Sequence, residues 1–294
     1  MNTDQKTVAL VMSGGGARGM AHIGVIKALE ENGYRISSIA GTSIGALIGG
    51  IYLSGKLDEF VEWTANIGKY DLLKFMDFAI NKSGLIKGEK VFQKLKPFVN
   101  DVKIESLSIP YAAVAVDIMS HTEVVFSKGS LVDAIRASAA IPTVLRPFNL
   151  NDRFLVDGGV LNPLPIDVVK RNPGDLLIAV DLNADIPFKP AEIEKPEKDE
   201  ANQTYEKALQ FINEKWSKFF KSDKSKSIGF FDLITQSIYA MQIKLTQAAI
   251  EKHQPDVVVR ISKNSCEMFE FHKAVEQIAY GRKQLENKLQ EFNK

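Results

Sequence analysis

Ile36-Ser37-Ser38-Ile39-Ala40-Gly41-Thr42-Ser43-Ile44-Gly45-Ala46-Leu47-Ile48 is the stretch that decides the fold. An apolar run ending at Ala40 enters Gly-x-Ser-x-Gly and then an apolar, small-residue helix pattern from Ile44 to Leu53, the signature of a nucleophile elbow. A serine on so sharp a strand-to-helix turn stands clear of the backbone. Gly41 and Gly45 leave room for neighbouring chain and for substrate. Ser43 is therefore the candidate nucleophile, against the alternative of a plain tight turn that carries a serine.

Upstream, Thr7-Val8-Ala9-Leu10-Val11-Met12 reads as a buried strand. It leads into Gly14-Gly15-Gly16-Ala17-Arg18-Gly19 and a helix from about Met20 to Glu31, stopped by Gly33. A glycine loop at a helix N-terminus presents backbone N–H groups at the positive end of the helix dipole, suited to phosphate or to an oxyanion. The spacing Gly14-x-Gly16-x-x-Gly19 also fits a dinucleotide fingerprint, which wants an acidic residue about 20 positions on. The second strand instead ends in the serine elbow, and no Gly-Lys-Ser or Gly-Lys-Thr closes the loop as a phosphate-binding loop would. Ends of successive parallel strands lie side by side, so an oxyanion hole accounts for both motifs together.

A serine hydroxyl needs a base. His22, His121, His253 and His272 are the histidines, placed after the glycine loop, in a turn, at a helix end and in the final helix. A stronger candidate is Asp157 in Arg153-Phe154-Leu155-Val156-Asp157-Gly158-Gly159, where an apolar strand delivers a carboxylate to two small residues. The alternative is an Asp-Gly hairpin turn, but Pro163 and Pro165 spoil the return strand. Burial raises a carboxyl pKa, which makes a Ser43–Asp157 dyad feasible.

Taken in order, Gly14-Gly15-Gly16-Ala17-Arg18-Gly19, Gly41-Thr42-Ser43-Ile44-Gly45 and Asp157-Gly158-Gly159 resemble the three signatures of the patatin-like phospholipases, with Ala137-Ser138-Ala139-Ala140-Ile141-Pro142 similar to a fourth. The likeness spans about residues 7 to 182. It implies a three-layer α/β/α fold with a mainly parallel central sheet. It also implies Ser43 as nucleophile, Asp157 as general base, and Gly14, Gly15 and Gly16 with Arg18 as the oxyanion hole. Gly19, Gly41, Gly45, Gly158 and Gly159 complete the motifs. The implied activity is that of a serine lipid acyl hydrolase of phospholipase A or lysophospholipase type; the alternative is a lipid-binding or regulatory adaptor on a hydrolase scaffold. An ordinary α/β-hydrolase runs Ser, acid, His, with the elbow after several strands; here Ser43 follows only the second.

Composition sets the remaining bounds. The 294 residues suffice for one large domain, and 37 Lys and Arg against 36 Asp and Glu give no global field to recruit nucleic acid. One cysteine, Cys266, excludes an internal disulfide and suits a reducing compartment. MNTDQKT shows no signal-peptide pattern, no uncharged apolar run reaches about 18 residues, and no metal-ligand or cofactor cluster stands out. A cytoplasmic protein that meets membranes peripherally is expected.

The expected organisation is a catalytic core over 1–185, a linker over 186–203 rich in Pro, Lys and Glu, an amphipathic lid or interfacial region over 204–252, and a final strand and helix over 253–294. Residues 204–227 carry six lysines against three acids, interleaved with Trp216, Phe219 and Phe220, a pattern suited to an anionic lipid surface or to plain packing. Ile234, Ile238, Met241, Leu245 and Ala248 read as the apolar stripe of a second helix. The stretch 63–80 reads as an acyl-pocket wall or as core. The last helix offers a face for packing or for self-association. Asp117 and Asp181 read as turn or cap residues, and Ser138 as a small packing residue.

Overall fold

The computed structural model describes residues 6–66, 89–99, 101–190 and 230–293. Strands β1 (Thr7–Met12), β2 (Arg35–Thr42), β3 (Tyr111–Asp117), β7 (Leu176–Ala184) and β8 (Val257–Ser262) form a parallel core in the order β3-β2-β1-β7-β8. On its β3 side, β4 (Thr122–Phe126), β5 (Phe148–Leu150) and β6 (Arg153–Asp157) add antiparallel pairs. The fold is the expected mixed α/β layer with a mostly parallel sheet.

Alternation along β1 divides the core in two. Val8, Leu10 and Met12 face a large apolar cluster with α1 (Met20–Glu31), α2 (Ile44–Leu53) and the last helix α7 (Ala274–Phe292). Ala9 and Val11 face a smaller cluster with Leu164, Ile166 and, from helix α6 (Phe230–His253), Ala249 and Ile250. Strands covered on both faces read as continuous apolar runs, which is why β1 was visible in the sequence. Helices α3 (Leu57–Asn66), α4 (Glu89–Leu95) and α5 (Leu131–Ser138) extend the larger cluster through Phe60, Leu95 and Leu131. α7 packs on α1, where Gly24 and Gly281 face each other's helix: a Cβ on Gly24 would meet the Ile278 carbonyl, and one on Gly281 the Ala21 carbonyl. The last helix buries Leu285 and Leu289 in the larger cluster.

One alternative drops out and one expectation changes. Asp157 does not start a hairpin; β6 ends in a 3₁₀ turn over Gly158–Val160, and the Asp157 carboxylate accepts from the Gly159 amide at 2.8 Å. On α6, Ile234 and Ile238 are half-buried, but Met241 and Leu245 are exposed. The inward face is Thr235, Ile238, Tyr239, Gln242, Thr246, Ala249 and Ile250, a polar-to-apolar gradient that apolar periodicity does not select. The linker over 191–203, the basic aromatic stretch over 204–229 and residues 67–80 lie outside the described residues.

Candidate active site

The glycine loop leaves the C-terminal end of β1, and the elbow leaves that of its parallel neighbour β2. Ser43 caps α2 with φ 58° and ψ −123°, a left-handed conformation that glycine adopts without strain and serine does not. Three contacts hold it there. The Leu47 amide donates to the Ser43 carbonyl at 3.1 Å. The Ser43 amide donates to Ser138 Oγ at 2.9 Å. Gly45 lies so close to β1 that a Cβ would meet the Met12 carbonyl.

Asp157 reaches this serine through the register of β3. Thr42 pairs with Val114, and the next β3 residue, Ala115, pairs with Asp157. β4 occupies the opposite edge of β3 over Ala113–Asp117. A strand has two edges, so β6 takes over the edge that β2 leaves, and the carboxylate arrives where the elbow turns away. Ser43 and Asp157 line the same cavity, and the serine side chain is one of the groups that pull the carboxyl pKa down. Burial pushes the Asp157 carboxyl up to about 6, against Ser43 and the hydrogen bond from the Gly159 amide.

In the glycine loop, the Gly14 amide donates to the Pro163 carbonyl at 3.1 Å and the Ala17 amide to the Met268 carbonyl at 2.8 Å. The amides of Gly15 and Gly16 take no backbone partner among the described residues. The loop touches the elbow: a Cβ on Gly14 would sit 3.2 Å from Ser43 Cβ. Arg18 turns away from this space. Its guanidinium donates to the carbonyls of Leu182 at 3.0 Å, Cys266 at 2.9 Å and Lys263 at 3.3 Å, and to Asn183 Oδ1 at 2.8 Å. Asn183 in turn donates to the Gly14 carbonyl at 2.9 Å. Of the four residues expected to form the oxyanion hole, Gly14, Gly15 and Gly16 line the cavity with Ser43, Gly14 with its amide engaged, while Arg18 holds the loop from behind.

Two cavities meet at Ser43. One, of about 180 Å³, is lined by Gly14, Gly15, Gly16, Asp157, Gly159 and the inward face of α6. The other, of about 170 Å³, is almost wholly apolar, with Leu47, Phe60, Trp63, Phe92, Leu95 and Leu145 among its walls. Trp63 is thus a wall residue of the stretch that suggested an acyl pocket. Gly16, Ser43, Ile141, Val144 and Phe269 border both.

The histidines stand apart from this space. His22 is fully buried and its Nε2 donates to the Ser13 carbonyl at 2.9 Å; burial lowers its pKa to about 4, so it is a neutral brace under the glycine loop. His121 sits in the β3–β4 turn, His253 ends α6, and His272 precedes α7. Asp117 accepts from the Met119 amide and Asp181 from the Asn183 amide, as turn residues do. Ser138 is more than a small packing residue, since its hydroxyl holds the elbow; its place in Ala137-Ser138-Ala139-Ala140 gave no sign of that. Gln242 was also missed.

A family profile, Patatin-like phospholipase, matches residues 10–170, more than half of the chain. The chain belongs to the patatin-like phospholipase family. An uncharacterized NTE family protein of Mycobacterium tuberculosis is 33% identical, covering 97% of this chain and 92% of its own. Neuropathy target esterase sws of Drosophila melanogaster is 32% identical over 60% of this chain and 13% of its own length. The mouse patatin-like phospholipase domain-containing protein 6 is 34% identical over 60% and 14%. Family membership supports a hydrolase that acts on lipids. Among the described residues no helix is long and apolar enough to cross a membrane.

Proposed function

We propose that the chain is a serine-dependent lipid acyl hydrolase, a carboxylic-ester hydrolase of phospholipase A or lysophospholipase type, with Ser43 and Asp157 as its dyad. The observation that carries this reading is the convergence of Ser43 and Asp157 on one cavity wall, where β3 exchanges β2 for β6, with the carboxyl raised by burial to about 6 at the junction of the two cavities. A base whose pKa lies just below neutrality is ionised at pH 7 yet strong enough to take a hydroxyl proton.

The acyl chain enters the apolar arm, which removes hydrocarbon from water at roughly 0.8 kcal/mol per methylene. Ser43 Oγ attacks the ester carbonyl carbon as its proton passes to Asp157. The carbonyl oxygen gains the negative charge and accepts from the Gly15 and Gly16 amides, stabilisation that is strongest in a dry, preorganised site. The intermediate collapses, the alcohol leaves with the proton from Asp157, and an acyl-Ser43 ester remains. Water then gives its proton to Asp157 and attacks the acyl carbon. Collapse releases the fatty acid and returns the proton to Ser43.

The test is labelling with a fluorophosphonate probe, with the adduct located by mass spectrometry. An adduct on Ser43 in the wild type, absent from Ser43→Ala and strongly slowed in Asp157→Asn, supports the dyad. Folded wild type that takes no label and hydrolyses no ester overturns it.

A further inference from the structure

Helix α6 brings an uncharged polar group to the proposed dyad. Thr235, Ile238, Tyr239 and Gln242 share one face of the helix and line the cavity that holds Ser43 and Asp157. The same face continues into Ala249 and Ile250, which pack on the smaller core cluster, so the cavity end is anchored by the buried end. Gln242 is half-buried. The position that a β-carbon on Gly159 would take lies 2.7 Å from Gln242 Nε2 and 3.0 Å from Asp157 Oδ1. The carboxamide and the carboxylate thus bracket the same spot. Apart from Asp157, the described walls of this cavity carry no ionisable acid or base other than the Tyr239 phenol.

We propose that Gln242 is a specificity-determining residue whose carboxamide hydrogen bonds the glyceryl part of the alcohol leaving group. The inference rests on the serine hydrolase reading and refines it. The apolar arm accounts for the acyl chain, and the arm lined by α6 is left for the alcohol. A carboxamide offers both a donor and an acceptor, which matches a glycerol hydroxyl beside the scissile ester and gives nothing to an aryl leaving group. A site built to hydrogen bond a substrate hydroxyl discriminates against an analogue without it, because its own polar group is then left unpaired.

The experiment compares wild type and Gln242→Leu on three esters of one acyl chain: 1-oleoylglycerol, 1-oleoyl-lysophosphatidylcholine and p-nitrophenyl oleate. Fluorophosphonate titration first counts competent Ser43 in each protein. The expected result is a fall of about tenfold in the ratio of kcat/KM for glyceryl over p-nitrophenyl ester, the scale of one neutral hydrogen bond. A fall with both glyceryl esters assigns contact to glycerol itself; a fall with only one tells the neutral source from the phosphorylated one. An unchanged ratio in protein that labels normally overturns the role of Gln242 and leaves the dyad standing. Gln242→Glu gives a second measure: a carboxylate beside Asp157 shifts the acid limb of the pH–rate profile upward, and an unmoved limb also counts against the contact.

Discussion

Replacing Asp157 by Asn should make the protein more stable at pH 8 while removing its activity. In the folded state the carboxyl is raised from 3.8 to about 6, chiefly by burial. The native state therefore holds this proton more tightly than the unfolded chain does. Below about pH 3.8 both states are protonated and the group costs nothing. The cost grows as pH rises between 3.8 and about 6, and it is complete above. A shift of about two units at 1.36 kcal/mol each corresponds to about 3 kcal/mol of stability lost at pH 8. Asparagine has the same shape, keeps an oxygen to accept from the Gly159 amide, and carries no charge. Urea melts of both proteins at pH 8 should thus show Asp157→Asn more stable by about 2 to 3 kcal/mol, with equal m-values. At pH 4.5 the advantage should shrink to about 1 kcal/mol by the same linkage. Turnover at pH 8 should fall at least roughly 10²-fold, the scale of losing a general base. A mutant that is less stable at pH 8, or a difference that does not vary with pH, would refute the argument that burial sets this carboxyl.

For the wild type, kcat/KM should rise with pH through about 6 and level off above, as Asp157 ionises; a profile that is flat between pH 5 and 8 would remove Asp157 as the base. Ser43→Gly should be more stable than Ser43→Ala by about 1 kcal/mol in thermal melts, because the left-handed backbone at this position strains any β-carbon; equal stability would deny that strain. Arg18→Lys should destabilise by about 2 to 4 kcal/mol and slow fluorophosphonate labelling, since an ammonium cannot span the Leu182, Cys266, Lys263 and Asn183 oxygens; unchanged melts and labelling would show the clasp to be idle. Ser138→Ala should cost about 1 to 3 kcal/mol by leaving the buried Ser43 amide without its acceptor, and full stability with full labelling would free Ser138 of that role.

What the sequence disclosed follows from which physical signals are local. β1 is buried on both faces and is a near-continuous apolar run, whereas β2 is equally buried but carries Ser37 and Ser38, whose hydroxyls are hydrogen bonded, and it was the glycines of the elbow that announced its end. β5 escaped notice because it has three residues, Phe148–Leu150, on the edge of the sheet and only partly buried. The face of α6 was misread for a related reason. Counting apolar residues at helical spacing assumes that the inward face is the greasy one, and at Met241 and Leu245 it is not. The inward face lines a cavity that holds a carboxylate, so threonine, tyrosine and glutamine occupy it.

The pairing of Ser43 with Asp157 lies at a different level. No local pattern joins residues 114 positions apart; their meeting depends on β3 exchanging one neighbour for another between Val114 and Ala115. A carboxylate placed by that exchange must also be kept dry enough to act as a base. The small residues after Asp157 let β6 close against β2: a Cβ on Gly158 would meet the Val114 carbonyl and approach Thr42 Cγ2 at 3.1 Å. In that packing Asp157 is left only 6% exposed, at the cavity wall. Position comes from that close approach and basicity from the burial around it, which is why Asp-Gly-Gly reads as a turn in isolation and as half of a proposed dyad in the fold.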